Sequence, residues 1–258
     1  MNEIEKLKET ILKEYPRLYK ESKFKFDCHK NISCFNKCCT DVNIFLTPYD
    51  IIRLKNRLKI SSQEFLDKYT FFPIDEKQNH PVVMLKMGWD EKKSCPFVDD
   101  GGCSIYNDRP WSCRMFPLGV ASPKEIGTNG DGEFYFILEE PVCKGYKEDR
   151  NLSVKEWIKE QQVERYTEMG DLFKEISLHD YFKKGKQLEP AKLEMFYTVC
   201  YNIDKFREFV FESTFLKRFE VDEDIINRIK DDDEELLIFG FSWLKYCLFG
   251  EKTMKVKK

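Results

Sequence analysis

The residues of this chain best suited to chemistry are eight cysteines lying between Cys28 and Cys143. Cys28, Cys34 and the adjacent pair Cys38 and Cys39 form one cluster. Cys95, Cys103 and Cys113 form a second, with Cys143 following at a distance. A thiolate is a soft ligand, suited to zinc or iron-sulfur clusters and poorly suited to magnesium or calcium. Residues 1–26 are charged and hold no apolar core, so they do not read as a secretory signal, and a cytoplasmic chain is expected. Cytoplasmic thiols stay reduced, and when clustered they serve as metal ligands more often than as disulfides. All eight are therefore candidate metal ligands.

Neighbouring side chains tend to diverge, so Cys38 and Cys39 are poor joint ligands for one ion. They suit two separate sites, or different irons of one cluster. Eight thiolates suffice for two four-thiolate sites, or for one cluster plus a reactive pair, and spacing does not choose between them. Cys95 precedes Pro96, a dipeptide that recurs beside iron-sulfur clusters. With the vicinal pair it favours an iron-sulfur cluster, zinc being the alternative. His29 follows Cys28 and is a weaker candidate ligand; His80 and His179 stand alone. Arg109 and Arg114 flank Cys113. They could offset the negative charge of several thiolates, or could simply pair with acids such as Asp99 or Asp108. No hydrolase motif, Walker loop, dinucleotide fingerprint or radical-SAM cysteine triplet is present, so whether the chain is an enzyme stays open.

Several elements must position these groups. Residues 2–21 carry apolar side chains at helical spacing and predict an amphipathic helix. Residues 42–46 read as a strand. Thr47, Pro48 and Asp50 then mark a helix start, and Ser61 with Glu64 marks a second. Residues 81–87 look extended. The turn at Asp99, Asp100, Gly101 and Gly102 predicts a hairpin joining the Cys95 and Cys103 segments. Val120 and residues 134–138 predict another strand pair around the glycine-rich stretch 127–132. Ser153 and Glu156 form a capping box, and beyond it the chain reads almost wholly helical. Residues from Leu193 to Val210 share one apolar stripe that includes Cys200, and Cys247 lies on another. Both cysteines are read as small core residues, not ligands.

With 22 Phe, 12 Tyr and 4 Trp, the chain can bury a sizeable core without metal. Its charged residues make up 34% of the chain but balance to −3, so no basic field for nucleic acid is implied. No apolar run is long enough to span a bilayer, and no membrane partner is expected. The partner class left open is a protein, as binding partner or substrate.

The run of Cys34, Cys38 and Cys39, then Leu46, Thr47, Pro48 and Asp50, then Cys95-Pro96-Phe97, Gly102 to Tyr106 and Arg109 to Pro117, resembles the YkgJ-type cysteine-cluster family. The likeness covers residues 28–146. In the first group the family's form is more compact: here five residues separate Cys28 from Cys34 and three separate Cys34 from Cys38. The resemblance implies a zinc- or iron-chelating domain. Flagellin lysine N-methylase is one member, so protein-lysine methyl transfer is a third, lesser expectation. The predicted fold is α+β: an N-terminal helix over 1–21, a cysteine-rich metal-binding domain of short hairpins and helices over 22–146, and a mainly helical region over 147–258. The expected function is a metal-binding protein acting in redox or in protein modification or maturation. The alternative is a zinc-stabilised structural or protein-interaction module.

Overall fold

The computed structural model describes residues 14–73, 79–121, 132–183 and 185–257. The fold is α+β, with short strand pairs in the cysteine-rich part and helices after it. Of the helix predicted over 2–21, residues 1–13 lie outside those described. Beyond Glu14 the chain is not helical, and Leu18 bridges to Tyr135 in β fashion. Pro16 explains the break, because proline drives the preceding residue out of the α region.

Strand β1 (Lys23–Lys25) precedes the first cysteines, which sit on turns. Strand β2 (Phe45–Leu46) leads into helix α1 (Pro48–Leu58). The Thr47 hydroxyl accepts from the Asp50 N–H at 3.2 Å, and the Asp50 carboxylate accepts from the Thr47 N–H at 2.8 Å. This reciprocal cap satisfies donors that a helix start otherwise leaves unpaired. Helix α2 (Ser62–Tyr69) opens on Ser61, whose hydroxyl accepts from the Glu64 N–H. Strands β3 (Thr70–Phe71) and β4 (Val83–Leu85) complete an antiparallel sheet of order β2-β4-β3. Val83 and Leu85 are buried at the base of α1 and α2.

The expected hairpin is present as β5 (Val98–Asp99) and β6 (Gly102–Cys103), with Gly102 at φ 119°, a value that side-chain-bearing residues avoid. Helix α3 (Trp111–Met115) carries Cys113. Strands β7 (Leu118–Ala121) and β8 (Phe134–Ile137) pair as predicted; most of the glycine-rich connection between them falls outside the described residues. Strand β9 (Asn151–Ser153) returns to pair with β1. The contact continues where Phe26 N–H donates to Arg150 O at 2.9 Å and Asp27 N–H to Gly145 O at 3.2 Å. Gly145 is required there: a Cβ would lie 2.5 Å from Phe26 Cε2 and 2.6 Å from Asp27 O.

The helical part comprises α4 (Val154–Glu160), α5 (Glu164–Ser177), α6 (Asp180–Lys183), α7 (Pro190–Tyr201), α8 (Ile203–Glu212), α9 (Phe215–Arg218), α10 (Glu223–Asp231) and α11 (Asp233–Leu244). A last pair, β10 (Phe219–Glu220) with β11 (Lys255–Val256), closes it. The single stripe predicted from Leu193 to Val210 is two helices. Asn202, buried at the junction, accepts from Ser62 Oγ and donates to Gln63 Oε1, and its side chain also caps α8. A short amide side chain offers the backbone an alternative to helix continuation.

The main core joins both parts of the chain. Leu54 and Phe65 from α1 and α2 pack in one cluster with Phe196, Phe206, Leu236 and Leu244 from the later helices. Lys55 crosses the same boundary, paired with Asp204 at 2.9 Å and Asp233 at 3.0 Å. A smaller second core holds Phe24, Phe26, Met115, Leu118, Tyr135 and Trp157.

Candidate metal centre

Three stretches of chain supply the eight candidate cysteines, and backbone hydrogen bonds lace them together. The turn 37–39 that bears the vicinal pair starts from Asn36 in the left-handed region. Cys95 N–H donates to Cys39 O at 2.8 Å, Asp41 N–H donates to Lys93 O, and Asn36 Nδ2 donates to Asp99 O. These bonds dock the first cysteine loop onto the hairpin of β5 and β6. Cys113 arrives on α3, and the start of α3 is fixed by Asp50: its Oδ1 accepts from the Trp111 N–H at 2.8 Å. One carboxylate thus caps α1 and holds the helix bearing Cys113. Cys143 reaches the first loop from the far side, where Lys144 N–H donates to Cys34 Sγ at 3.1 Å.

The result is two groups of four. Burial pushes the Cys28 thiol up to about 11, and Cys38, Cys34 and Cys143 push it the same way. Cys143 is raised by burial and by Cys34 and Cys38. In the second group, Cys95 is raised by burial and by Cys103. Cys113 is raised to about 12 by burial, with Cys95, Asp50 and Cys103 adding to it. Cys39 is raised by the neighbouring Cys38 thiol and by burial, with Cys95 and Cys113 adding to it. The first group is therefore Cys28, Cys34, Cys38 and Cys143; the second is Cys39, Cys95, Cys103 and Cys113. They meet at the vicinal pair Cys38 and Cys39. The neighbouring Cys39 thiol holds Cys38 down at about 7.

Each candidate thiol but Cys38 with a resolved shift is harder to ionise than a free one, chiefly because burial disfavours the anion, with neighbouring cysteines adding to it for all but Cys103. A soft cation among them reverses that balance, since a coordinating thiol is deprotonated outright. As the side chains stand, no three of the described His, Cys, Asp and Glu residues are arranged to hold a metal ion, so the two groups are neighbourhoods and not closed coordination shells. Their donor chemistry nonetheless fits a soft metal, with four thiols to each group.

Two buried cations support that fit. Arg109 and Arg114 are 8% and 3% exposed. Neither pairs with Asp99 or Asp108: Asp108 is held by Arg53 at 2.5 Å, and the Asp99 carboxylate accepts from the Gly101 N–H. Arg109 instead donates to Tyr106 O and Gln161 Oε1, with its guanidinium over the Tyr106 ring. Arg114 donates to the carbonyls of Arg109, Gln161 and Asn107 and to Tyr166 Oη. All these acceptors are neutral. Two guanidinium charges are thus buried beside the second group with no carboxylate in hydrogen-bond contact among the described residues, and Arg109 favours the ionised form of both Cys103 and Cys113. The Ser112 hydroxyl, next in sequence to Cys113, is also buried without a hydrogen-bond partner.

The remaining candidates fall outside. His29 Nε2 faces Glu148 at 3.3 Å. His80 stacks on Phe196, and burial lowers its pKa; His179 stacks on Phe249 beside Glu251. Cys200 is buried in the main core and Cys247 packs against it, neither with a cysteine neighbour from the two groups. Asp50 and Gln161 are the positioning residues that sequence reading missed. Asp50 was legible as a helix cap but not as the anchor of α3.

The site is thus a cluster of eight cysteines set beside a helical layer. Residues 27–144 match the family model described as a "putative zinc- or iron-chelating domain", and this part of the chain is similar to that family. No curated protein and no solved structure matches the chain. No described helix is long and apolar enough to cross a membrane.

Proposed function

We propose that the chain binds two soft metal ions, one to each group of four cysteines, and that the ions hold the loops of the domain in place. The observation that carries this is the division of the vicinal pair, Cys38 falling with Cys28, Cys34 and Cys143, and Cys39 with Cys95, Cys103 and Cys113. Zinc is the metal this arrangement favours. It takes four thiolates in closed tetrahedral sites. Two bulky inorganic clusters would have to sit on the adjacent residues Cys38 and Cys39. Arg109 and Arg114 supply the counter-charge that a four-thiolate site with a divalent ion needs. In this reading the domain is a metal-stabilised module, and the helices after it face a protein partner. The second reading, an iron-sulfur protein acting in redox or protein modification, rests on Cys95-Pro96.

Metal analysis, absorbance and acid-labile sulfide on anaerobically purified protein separate the two readings. Zinc at two per chain without sulfide is expected; a brown protein with stoichiometric sulfide would overturn the zinc reading. Cys38→Ser and Cys39→Ser should each remove one ion, while Cys200→Ala and Cys247→Ala should remove none. The two-site assignment fails if both serine variants strip the same single ion.

A further inference from the structure

The three-stranded sheet β2-β4-β3 has one face in the main core, where Leu46, Val83 and Leu85 are buried. Side chains alternate along a strand, and residues directly opposite one another share a face. Phe45 and Phe71, one from each edge strand, both stand opposite Met84, so these three line the outer face. Met84 is buried, but Phe45 is 56% exposed and Phe71 42%. Lys86 follows two residues after Met84, and its ammonium stands 5.3 Å from the ring centre of Trp89, which is 92% exposed. The turn that displays Trp89 is fixed. Gly88 N–H donates to Ser94 O at 2.7 Å, and the Asp90 carboxylate accepts from the Ser94 N–H and hydroxyl, both at 2.8 Å. The same turn adjoins the first cysteine loop, since Ser94 bridges to Thr40 and Cys95 N–H reaches Cys39 O.

We infer that this outer face docks a short peptide segment of a partner protein, which lays apolar side chains against Phe45, Phe71 and Trp89 and sets a carboxylate on Lys86 or Lys68. The contact does not depend on what the cysteines bind, and it lies apart from the later helices. Area decides the size of the partner. At about 200 Å² for a whole large aromatic side chain, the exposed parts of these three come to about 400 Å². A patch of that size on a monomer is commonly functional. It is about half of the roughly 800 Å² that each partner contributes to a stable dimer, so a short segment fits it better than a second copy of the chain does. Charge decides the partner's sign. Lys68 precedes Tyr69, whose carbonyl accepts from the Lys86 N–H, and Lys68 Nζ lies 5.2 Å from the Tyr69 ring centre. Neither Lys68 nor Lys86 joins an ion pair among the described residues, so both are open to a carboxylate. An anionic bilayer fits less well. Asp90 and Glu91 follow Trp89 directly, and a flat lipid surface would have to meet both, whereas a peptide can seat one carboxylate on Lys86 alone.

The test uses the full chain as bait for a phage-displayed library of random short peptides. Enriched peptides should carry apolar residues beside Asp or Glu, and labelled copies of them should bind in the micromolar range by fluorescence anisotropy. Trp89→Ala and Phe45→Ser should each weaken that binding by about tenfold or more, because aromatic anchors carry most of the energy of such contacts. Lys86→Glu should weaken it too, and should favour copies of the peptides in which Lys replaces the acids. The Trp89 side chain is exposed enough to be lost without unfolding, which circular dichroism of each variant checks. No enrichment, or enriched peptides that bind the Trp89→Ala and Lys86→Glu variants as tightly as wild type, would overturn the inference. A dimer in sedimentation that Trp89→Ala abolishes would overturn it in favour of a second copy. Binding to phosphatidylserine vesicles that Trp89→Ala abolishes would overturn it in favour of a membrane.

Discussion

Replacing Asp50 by Asn tests how the helix carrying Cys113 is held. The Asp50 side chain is fully buried, and it accepts from the Thr47 N–H, the Thr47 hydroxyl and the Trp111 N–H. Burial is the dominant influence and raises its carboxyl from 3.8 to about 6, against the opposing pull of those donors. The folded protein therefore holds this proton more tightly than the unfolded chain. Stability from this group is greatest below 3.8, falls as pH rises toward 6, and stays reduced above that. The full change corresponds to about 3 kcal/mol. An amide cannot titrate, so the Asp50→Asn variant lacks this term. It also presents one oxygen where the carboxylate presents two, leaving at least one donor short at every pH, a fixed cost of about 1–3 kcal/mol. The stability of the Asp50→Asn variant relative to wild type should thus improve by about 2–3 kcal/mol between about pH 4 and pH 7, whatever its absolute offset. Urea unfolding followed by tryptophan fluorescence, in chelator-containing buffer so that metal loss affects neither curve, reads the difference directly. A difference that stays flat with pH, or one that moves against the variant, would refute the reasoning.

Other substitutions probe separate parts of the frame. Lys55→Met removes the cation shared by Asp204 and Asp233, which keep the Ser62 N–H and Arg207 respectively, and should lower unfolding stability by about 1–3 kcal/mol, read by urea denaturation. Arg109→Gln removes the buried charge beside Cys103 and Cys113. It should weaken zinc binding at the second group by about tenfold, since such a charge is worth about 1–2 kcal/mol at an intermediate dielectric; competition with a chelator of known affinity measures it, and unchanged affinity would deny Arg109 that role. Gly145→Ala forces a methyl into Phe26 and the Asp27 carbonyl and should cost about 1–3 kcal/mol, with hydrogen exchange rising first at β1 and β9.

What could be read from the residues alone follows a physical division. Thr47 with Asp50, Ser153 with Glu156 and the turn ending at Gly102 are local devices, each complete within a few residues, and each stands where its spacing placed it. The partition of Cys38 and Cys39 was out of reach because it depends on Cys39 O meeting Cys95 N–H and on Cys143 arriving beside Cys34. Arg109 and Arg114 were equally opaque. Their acceptors are backbone carbonyls and Gln161, which carry no charge pattern to read. The run from Leu193 to Val210 misled because both helices keep the same periodicity across Asn202, and only the tertiary hydrogen bonds of that side chain reveal the break. Pro16 was a breaker in plain view that the apolar spacing around it outweighed.

The pairing of β1 with β9 has a consequence for how the cysteine-rich part is joined to the rest of the chain. It brings the residues on either side of the cysteine domain together, with Asp27 bonded to Gly145, and the family match begins and ends at that same seam, at residues 27 and 144. A unit whose entrance and exit adjoin can be spliced into a foreign chain at a single surface loop without spreading the host apart. Any such host would have to offer an apolar cover for the side of α1 and α2 that bears Leu54 and Phe65, as the C-terminal helices do here.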